Sequence, residues 1–252
     1  MNLDRFCIPL EPAPARIQQL IRAGVHHDHG PFTDSIPDLL DTAEPPAEGV
    51  WRAADGTALI VCNTDFPGST AAMLDWWFGW HLPSSERYRL WHPTAHVAAR
   101  VKEDRSAAAD ARARYLNNES YVDEYVGRSL KHLAICFVEP EQFGFHGLDG
   151  RGATAICAVT RDRLLRAEGG HLCHLILPTA RGCQMRSAFW LGNIRHQWQW
   201  AHRLLSGVYN SPFMRKRILS DRFCLDLLQH CSEEMNHLAT ILPALYREAG
   251  GN

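Results

Sequence analysis

Apolar positions along this chain repeat at two different periods, and the changes between them mark out its elements. Residues 1–56 show little periodicity: LEPAPA and TAEPPAEG interrupt the chain with proline and acidic residues, and Arg16–Ala23 alone carries a short helical pattern. This stretch is expected to wrap the molecule as an N-terminal extension, with residues 57–252 forming the domain proper. From Thr57, TALIVCNTDF is an apolar, β-branched run of strand length that Pro67-Gly68 stops. GSTAAMLDWWFGW reads as a helix starting near Ser69, with Met73, Trp76, Trp77 and Trp80 spaced to bury one side, and His81-Leu82-Pro83 ends it. RYRLWHP reads as a short strand whose alternate residues Tyr88, Leu90 and His92 share a face, and 102–114 as a polar excursion or short exposed helix. A long run at period two follows. SYVDEYVG, KHLAICFVEP, GATAICAVTR, GGHLCHLILPT and CQMRSAFWLG are five strands separated by Gly, Pro or charged breaks, the rhythm of an antiparallel meander. Residues 219–248 form the longest helical pattern, with Ser220 or Asp221 as N-cap, Gly250 and Gly251 as the stop, and a bend expected at Pro243. Together these elements predict an α+β domain in which a curved sheet grips the last helix.

Composition narrows the partners. With 26 basic and 28 acidic residues the net charge is −2, so nothing draws the chain as a whole onto nucleic acid or an anionic membrane, and neither is an expected partner. No stretch reaches the roughly 18–20 apolar residues of a membrane span, and the N-terminus lacks a basic region followed by an apolar core. A cytoplasmic protein acting on a small molecule is expected, and homo-oligomerisation stays open. The eight cysteines form no CxxC pair and are expected to be reduced, mostly buried thiols. The 14 histidines and eight tryptophans are where the chemistry should lie, since His is the commonest metal ligand and Trp a bulky lining for apolar cavities.

Several polar residues interrupt apolar rows. In the terminal helix Phe223, Leu227, His230, Glu234, His237, Ile241 and Leu245 follow steps of three and four, so His230 and Glu234 fall in the core stripe. A buried carboxylate needs a partner or a metal. His92 and His96 stand in LWHPTAH; Glu124 projects between Val122 and Val126; His174 alternates with Leu172 and Ile176. His92, Glu124, His174 and His230 would all point into the space between sheet and helix. Three imidazoles and a carboxylate suit zinc first, with iron(II) or manganese behind it, and a site without cysteines near a tryptophan-lined cavity reads as catalytic rather than structural. Trp198 and Trp200, in a loop-like segment, are candidates for part of a lid, whereas His196 and His202 read as a solvent-facing edge and His26-His27-Asp28-His29 as a solvated turn.

Taken in order, DWWFGWH (75–81), RYRLWHPTAH (87–96), SYVDEYVG (120–127), HLCHLIL (171–177), MRSAFWLG (185–192) and HCSEEMNHLATILPALY (230–246) resemble the 2,4-diacetylphloroglucinol hydrolase and phloretin hydrolase family. The resemblance implies a helix-grip fold similar to the birch-pollen allergen, and a zinc enzyme that cleaves the carbon–carbon bond between an acyl carbonyl and a phenolic ring. It implies His92, Glu124, His174 and His230 as ligands, with His96 and His171 as rivals one motif position away, His230 and Glu234 as catalytic, and Trp80, Tyr88 and Phe189 against the substrate. Where the family holds ring hydroxyls with tyrosine and asparagine, this chain has Thr94, Ala95, Ala188 and Phe189, which implies a more apolar pocket. Two other readings stay open: a metal-dependent oxygenase or lyase acting on an aromatic polyketide, and a non-enzymatic carrier of an apolar ligand.

Overall fold

The computed structural model describes residues 2–27, 30–33 and 35–250. The five expected strands are β4 (Glu119–Val126), β5 (Ser129–Val138), β6 (Thr154–Asp162), β7 (Ala167–Thr179) and β8 (Gly182–His196), each antiparallel to the next. The expected strand after Thr57 is β2 (Ala58–Pro67), which pairs with β8 across ten residue pairs. Two short strands close the edges: β1 (Gly49–Arg52), contributed by the N-terminal segment, on β2, and β3 (His96–Val101) on β4. The result is a single sheet in the order β1-β2-β8-β7-β6-β5-β4-β3. Register shifts at His96/Ala98, Thr160/Arg161 and Glu168/Gly170 add local twist, which curls the sheet.

The terminal helix α8 (Asp221–Glu248) lies across the concave face and packs on β2. Ser220 caps it, its Oγ accepting from Phe223 N–H at 3.2 Å, and Asp221 and Arg247 complement the helix dipole. The helix runs through Pro243. Leu228, Leu238, Leu242 and Leu245 are fully buried, each contributing roughly 1.5–3 kcal/mol. Gly127, at the β4–β5 turn with φ +60°, tucks against this helix: a Cβ there would fall 2.1 Å from Asp226 Oδ2. Arg52 of β1 anchors the start of α8, its guanidinium donating to the Leu219 and Gly56 carbonyls and to Asp221.

The other helices cover the ends and the convex face. α1 (Ala15–Ala23) packs on α8, and the Glu11 N–H donates to His237 Nδ1 on α8 at 3.2 Å. α2 (Ile36–Leu40) covers a smaller convex cluster around Leu40, Leu59, Phe145 and Leu175. α3 (Ala71–His81) starts after Thr70, whose hydroxyl accepts from Met73 N–H. Its burial is broader than one face, because Trp76, Trp77 and Phe78 are buried on successive positions while Met73 and Trp80 are only half-buried. α5 (Ala111–Tyr115) is the short helix of the polar excursion.

Two local expectations differ from the structure. The segment around Tyr88 is a helix, α4 (Ser85–Trp91), rather than a strand: Ser84 Oγ accepts from Arg87 N–H at 3.3 Å, and this cap outweighs the alternation of Tyr88, Leu90 and His92. Residues around Trp198 and Trp200 form helix α6 (Gln199–Tyr209), followed by α7 (Pro212–Ile218), where a loop was expected. Of the remaining expectations, the roles of Gly251 as helix stop and of Asp28 and His29 in the histidine turn lie outside the described residues.

Candidate metal centre

Between α8 and the curled sheet lies a cavity of about 240 Å³. On α8, Phe223, Leu227, His230 and Glu234 line it, one residue per turn; on β4 the alternating Ser120, Val122, Glu124 and Val126 do so. Leu172 and His174 of β7 and Phe189 and Leu191 of β8 complete the opposite wall. The inner end is buried and holds the polar groups His81, Tyr88, Glu124, His230 and Glu234, whereas the outer end is formed by partly exposed residues such as Leu165 and Ile218.

At the inner end the ligand atoms of His96, His230 and Glu234 lie within 4.8 Å of one another, all three residues buried. Glu234 Oε2 is 3.4 Å from His96 Nε2 and 3.7 Å from His230 Nε2. Glu124 Oε2 stands 4.0 Å from the same His96 nitrogen, because His96 and Glu124 face each other across the β3–β4 ladder. Zinc bonds of about 2.0–2.1 Å put tetrahedral ligands roughly 3.3 Å apart, close to these separations.

The tautomer of His96 is set by its surroundings. Nδ1 lies 3.0 Å from the Tyr88 carbonyl, which can only accept, so Nδ1 carries the proton and Nε2 turns a lone pair into the cluster. That Nε2 is buried with no hydrogen-bond partner. The His96 ring stacks on Tyr88 at 3.8 Å and 2°, and the Tyr88 hydroxyl donates to Glu124 Oε2. Burial pushes Glu234 well above the usual carboxylate range, and the nearby Glu124 adds to it; burial also raises Glu124. His230 is pushed down to about 3 by burial, with His92 beside it, and His96 falls well below its ordinary value through burial and the adjacent His230. A cation here would restore the two carboxyls to their ionised form and keep the neighbouring imidazoles neutral, the protonation state in which both kinds of group are ligands. The donor set therefore fits a divalent metal.

The expected ligands are only partly brought together. His230 and Glu124 are at the cluster. His92, at the C-terminal end of α4, stacks on His230 at 4.9 Å; its Nδ1 accepts from Ala95 N–H at 3.2 Å and its Nε2 lies 3.4 Å from Glu233 Oε2, outside the cluster of His96, His230 and Glu234. His174 lies in the cavity wall outside the cluster, with Nδ1 2.7 Å from Ser187 Oγ. His171 packs beside Phe143, not at the cluster. Glu234, expected beside the metal, belongs to the tightest part of the cluster. Of the expected substrate contacts, Tyr88 and Phe189 line the cavity; Trp80 does not, being held between the Trp76 ring and the Arg87 guanidinium. In the sequence His81 carries no signal beyond that of a helix end. It is buried in the cavity wall, its Nδ1 donating to the Trp77 carbonyl at 2.8 Å.

A curled antiparallel sheet closing on a long terminal helix, with a cavity between them, defines the helix-grip class. The family model described as "DAPG hydrolase PhiG domain" matches residues 31–247, and the chain belongs to that hydrolase family. It is 34% identical over 210 residues to a phloretin hydrolase of Eubacterium ramulus, covering 79% of this chain and 71% of that one. It is 31% identical over 235 residues to a 2,4-diacetylphloroglucinol hydrolase of Pseudomonas protegens, covering 87% of this chain and 75% of that one. Among solved structures it aligns with the ZhuI aromatase/cyclase of Streptomyces sp. R1128 at TM-score 0.46 and 10% identity, covering 78% of this chain and 99% of that one.

Proposed function

We propose that the chain is a zinc-dependent hydrolase that cleaves the carbon–carbon bond between an acyl carbonyl and a phenolic ring, with His96, His230, Glu234 and Glu124 holding the ion. The observation that carries this is the buried, partnerless Nε2 of His96 facing His230 and Glu234 at the floor of an apolar cavity. In this reading His96, which lies in the tight cluster, serves in place of the expected His92, which lies outside it, and Glu124 serves as the fourth ligand. A metal here would supply Lewis acidity, polarising an acyl carbonyl and acidifying water.

The chain's own groups account for the rest. An apolar cavity of about 150 Å³ takes a benzene, so about 240 Å³ suits one aromatic ring with a short acyl group. Phe78, Phe137, Leu172 and Phe189 pack the ring and exclude water, while Nδ1 of His174 is occupied by Ser187, leaving its other nitrogen for a ring hydroxyl. Water adds to the acyl carbon and the C–C bond breaks. A hydroxyl ortho or para to the acyl group first shifts its proton to the acyl-bearing ring carbon, so that the electron pair of the broken bond is delocalised through the resulting ring ketone as the product phenolate. Glu124, oriented by the Tyr88 hydroxyl, takes the proton from water and returns it to the phenolate oxygen. The products are a carboxylic acid and the deacylated phenol.

The test is elemental analysis of the purified protein together with incubation with 2,4-diacetylphloroglucinol and phloretin. About one zinc per chain and release of an acid from either substrate is the expected result. Stoichiometric iron with oxygen consumption would replace hydrolysis by an oxygenase, and absence of metal would leave an apolar-ligand carrier.

A further inference from the structure

The cavity opens beside a surface that the hydrolytic reading does not use. On α6 and α7 the apolar side chains Trp200, Leu204, Val208 and Phe213 are 63%, 71%, 55% and 72% exposed, and Trp198 just before α6 is 47% exposed. At the tip of the neighbouring β6–β7 turn, Leu164 and Leu165 are 75% and 57% exposed. These segments are one surface: Gln197 N–H donates to the Arg166 carbonyl, the Arg166 guanidinium lies 5.1 Å over the Trp198 ring, and Trp198 stacks on Trp200. Buried Arg215 and Asn210 fix the two helices to β8, through Gly192 and Ile194. The surface surrounds the outer end of the cavity, since Leu165, His196, Tyr209 and Ile218 line that end. Soluble proteins rarely leave so many large apolar side chains together without a partner.

Charge decides which partner. Residues 169–220 contain no Asp or Glu, although the whole chain is slightly acidic. Arg166, Arg195, Arg203, Lys216 and Arg217 are exposed on this surface, and among the described residues none lies within 4.0 Å of a carboxylate. A second copy of the chain docked here about a two-fold axis would set these cations against one another. Protruding tryptophan, leucine and phenylalanine rimmed by unpaired arginine and lysine suit the interface of an anionic bilayer, where aromatic rings sit at headgroup depth and basic side chains meet phosphate.

We propose that α6, α7 and the β6–β7 turn form a docking surface for anionic membranes, which sets the cavity mouth at the lipid interface where an apolar phenol partitions. Its test needs no substrate, so it stands or falls separately from the hydrolytic reading. The full-length protein is co-sedimented with vesicles of phosphatidylcholine alone and of equimolar phosphatidylcholine and phosphatidylglycerol, at low and high salt. Binding about tenfold or more tighter to the anionic vesicles, weakened by salt, is expected. K216E/R217E should remove that preference, and W200S/F213S should weaken binding to both vesicles, with zinc content and circular dichroism unchanged in each. Equal partitioning onto both vesicles, no binding at all, or a concentration-dependent dimer that W200S/F213S abolishes while vesicles stay unbound would overturn the proposal.

Discussion

The substitution Tyr88→Phe isolates one support of the proposed metal centre. Tyr88 is buried, its ring stacks on His96 at 3.8 Å, and its hydroxyl donates to Glu124 Oε2. Phenylalanine keeps the ring and the stack and opens no cavity, so the loss is confined to one hydrogen bond to a buried carboxylate. Such a charge-assisted bond is worth about 1.5–3 kcal/mol. At about 1.4 kcal/mol per factor of ten, zinc affinity should fall roughly 10- to 150-fold. The range agrees with the roughly 10–100-fold found when groups that orient metal ligands are removed. Competition against a chelator of known affinity measures the two dissociation constants directly, and the stabilisation gained on adding zinc should shrink by the same free energy. A variant with the affinity of the parent would refute the argument, because Glu124 would then owe neither its position nor its charge to Tyr88, and its assignment as the fourth ligand would fall with it.

Three further outcomes are expected. His96→Ala should lose stoichiometric zinc while His92→Ala and His174→Ala keep it, as read by elemental analysis; retention by His96→Ala would return the ligand assignment to His92. Phe189→Trp should narrow the cavity and lower kcat/KM for an acylphenol by about 5- to 150-fold, the equivalent of about 1–3 kcal/mol of overpacking, with metal content unchanged. Arg52→Met should strip the Leu219 and Gly56 carbonyls of their donor at the start of α8 and cost about 2–3 kcal/mol, a Tm drop of roughly 5–10 °C in a thermal melt; an unchanged Tm would mean that water replaces the guanidinium.

Local pattern along the chain is enough to specify the architecture and the inward-facing rows. Five strands at period two and one long capped helix have few ways to bury their apolar faces, so the sheet gripping α8 followed from local pattern alone. The same periodicity set Glu124 and His174 in apolar rows of their strands and His230 with Glu234 on one face of α8, and the structure has all four in the cavity wall. Tertiary structure decided which of them meet. His92 and His96 differ by four residues in a short segment where strand alternation and helix spacing compete. The Ser84 cap resolved it as α4, and the turn after that helix started β3 at His96, directly across from Glu124. His174 shares the cavity but not the cluster, because residues on one sheet face can be several strands apart, a distance that periodicity does not report. The cationic apolar surface on α6 and α7 was hidden for a related reason: net charge averages over the chain, whereas exposure and proximity arise only when the fold brings 163–166 and 195–217 together. Period tells which way a side chain points; only packing tells what it faces.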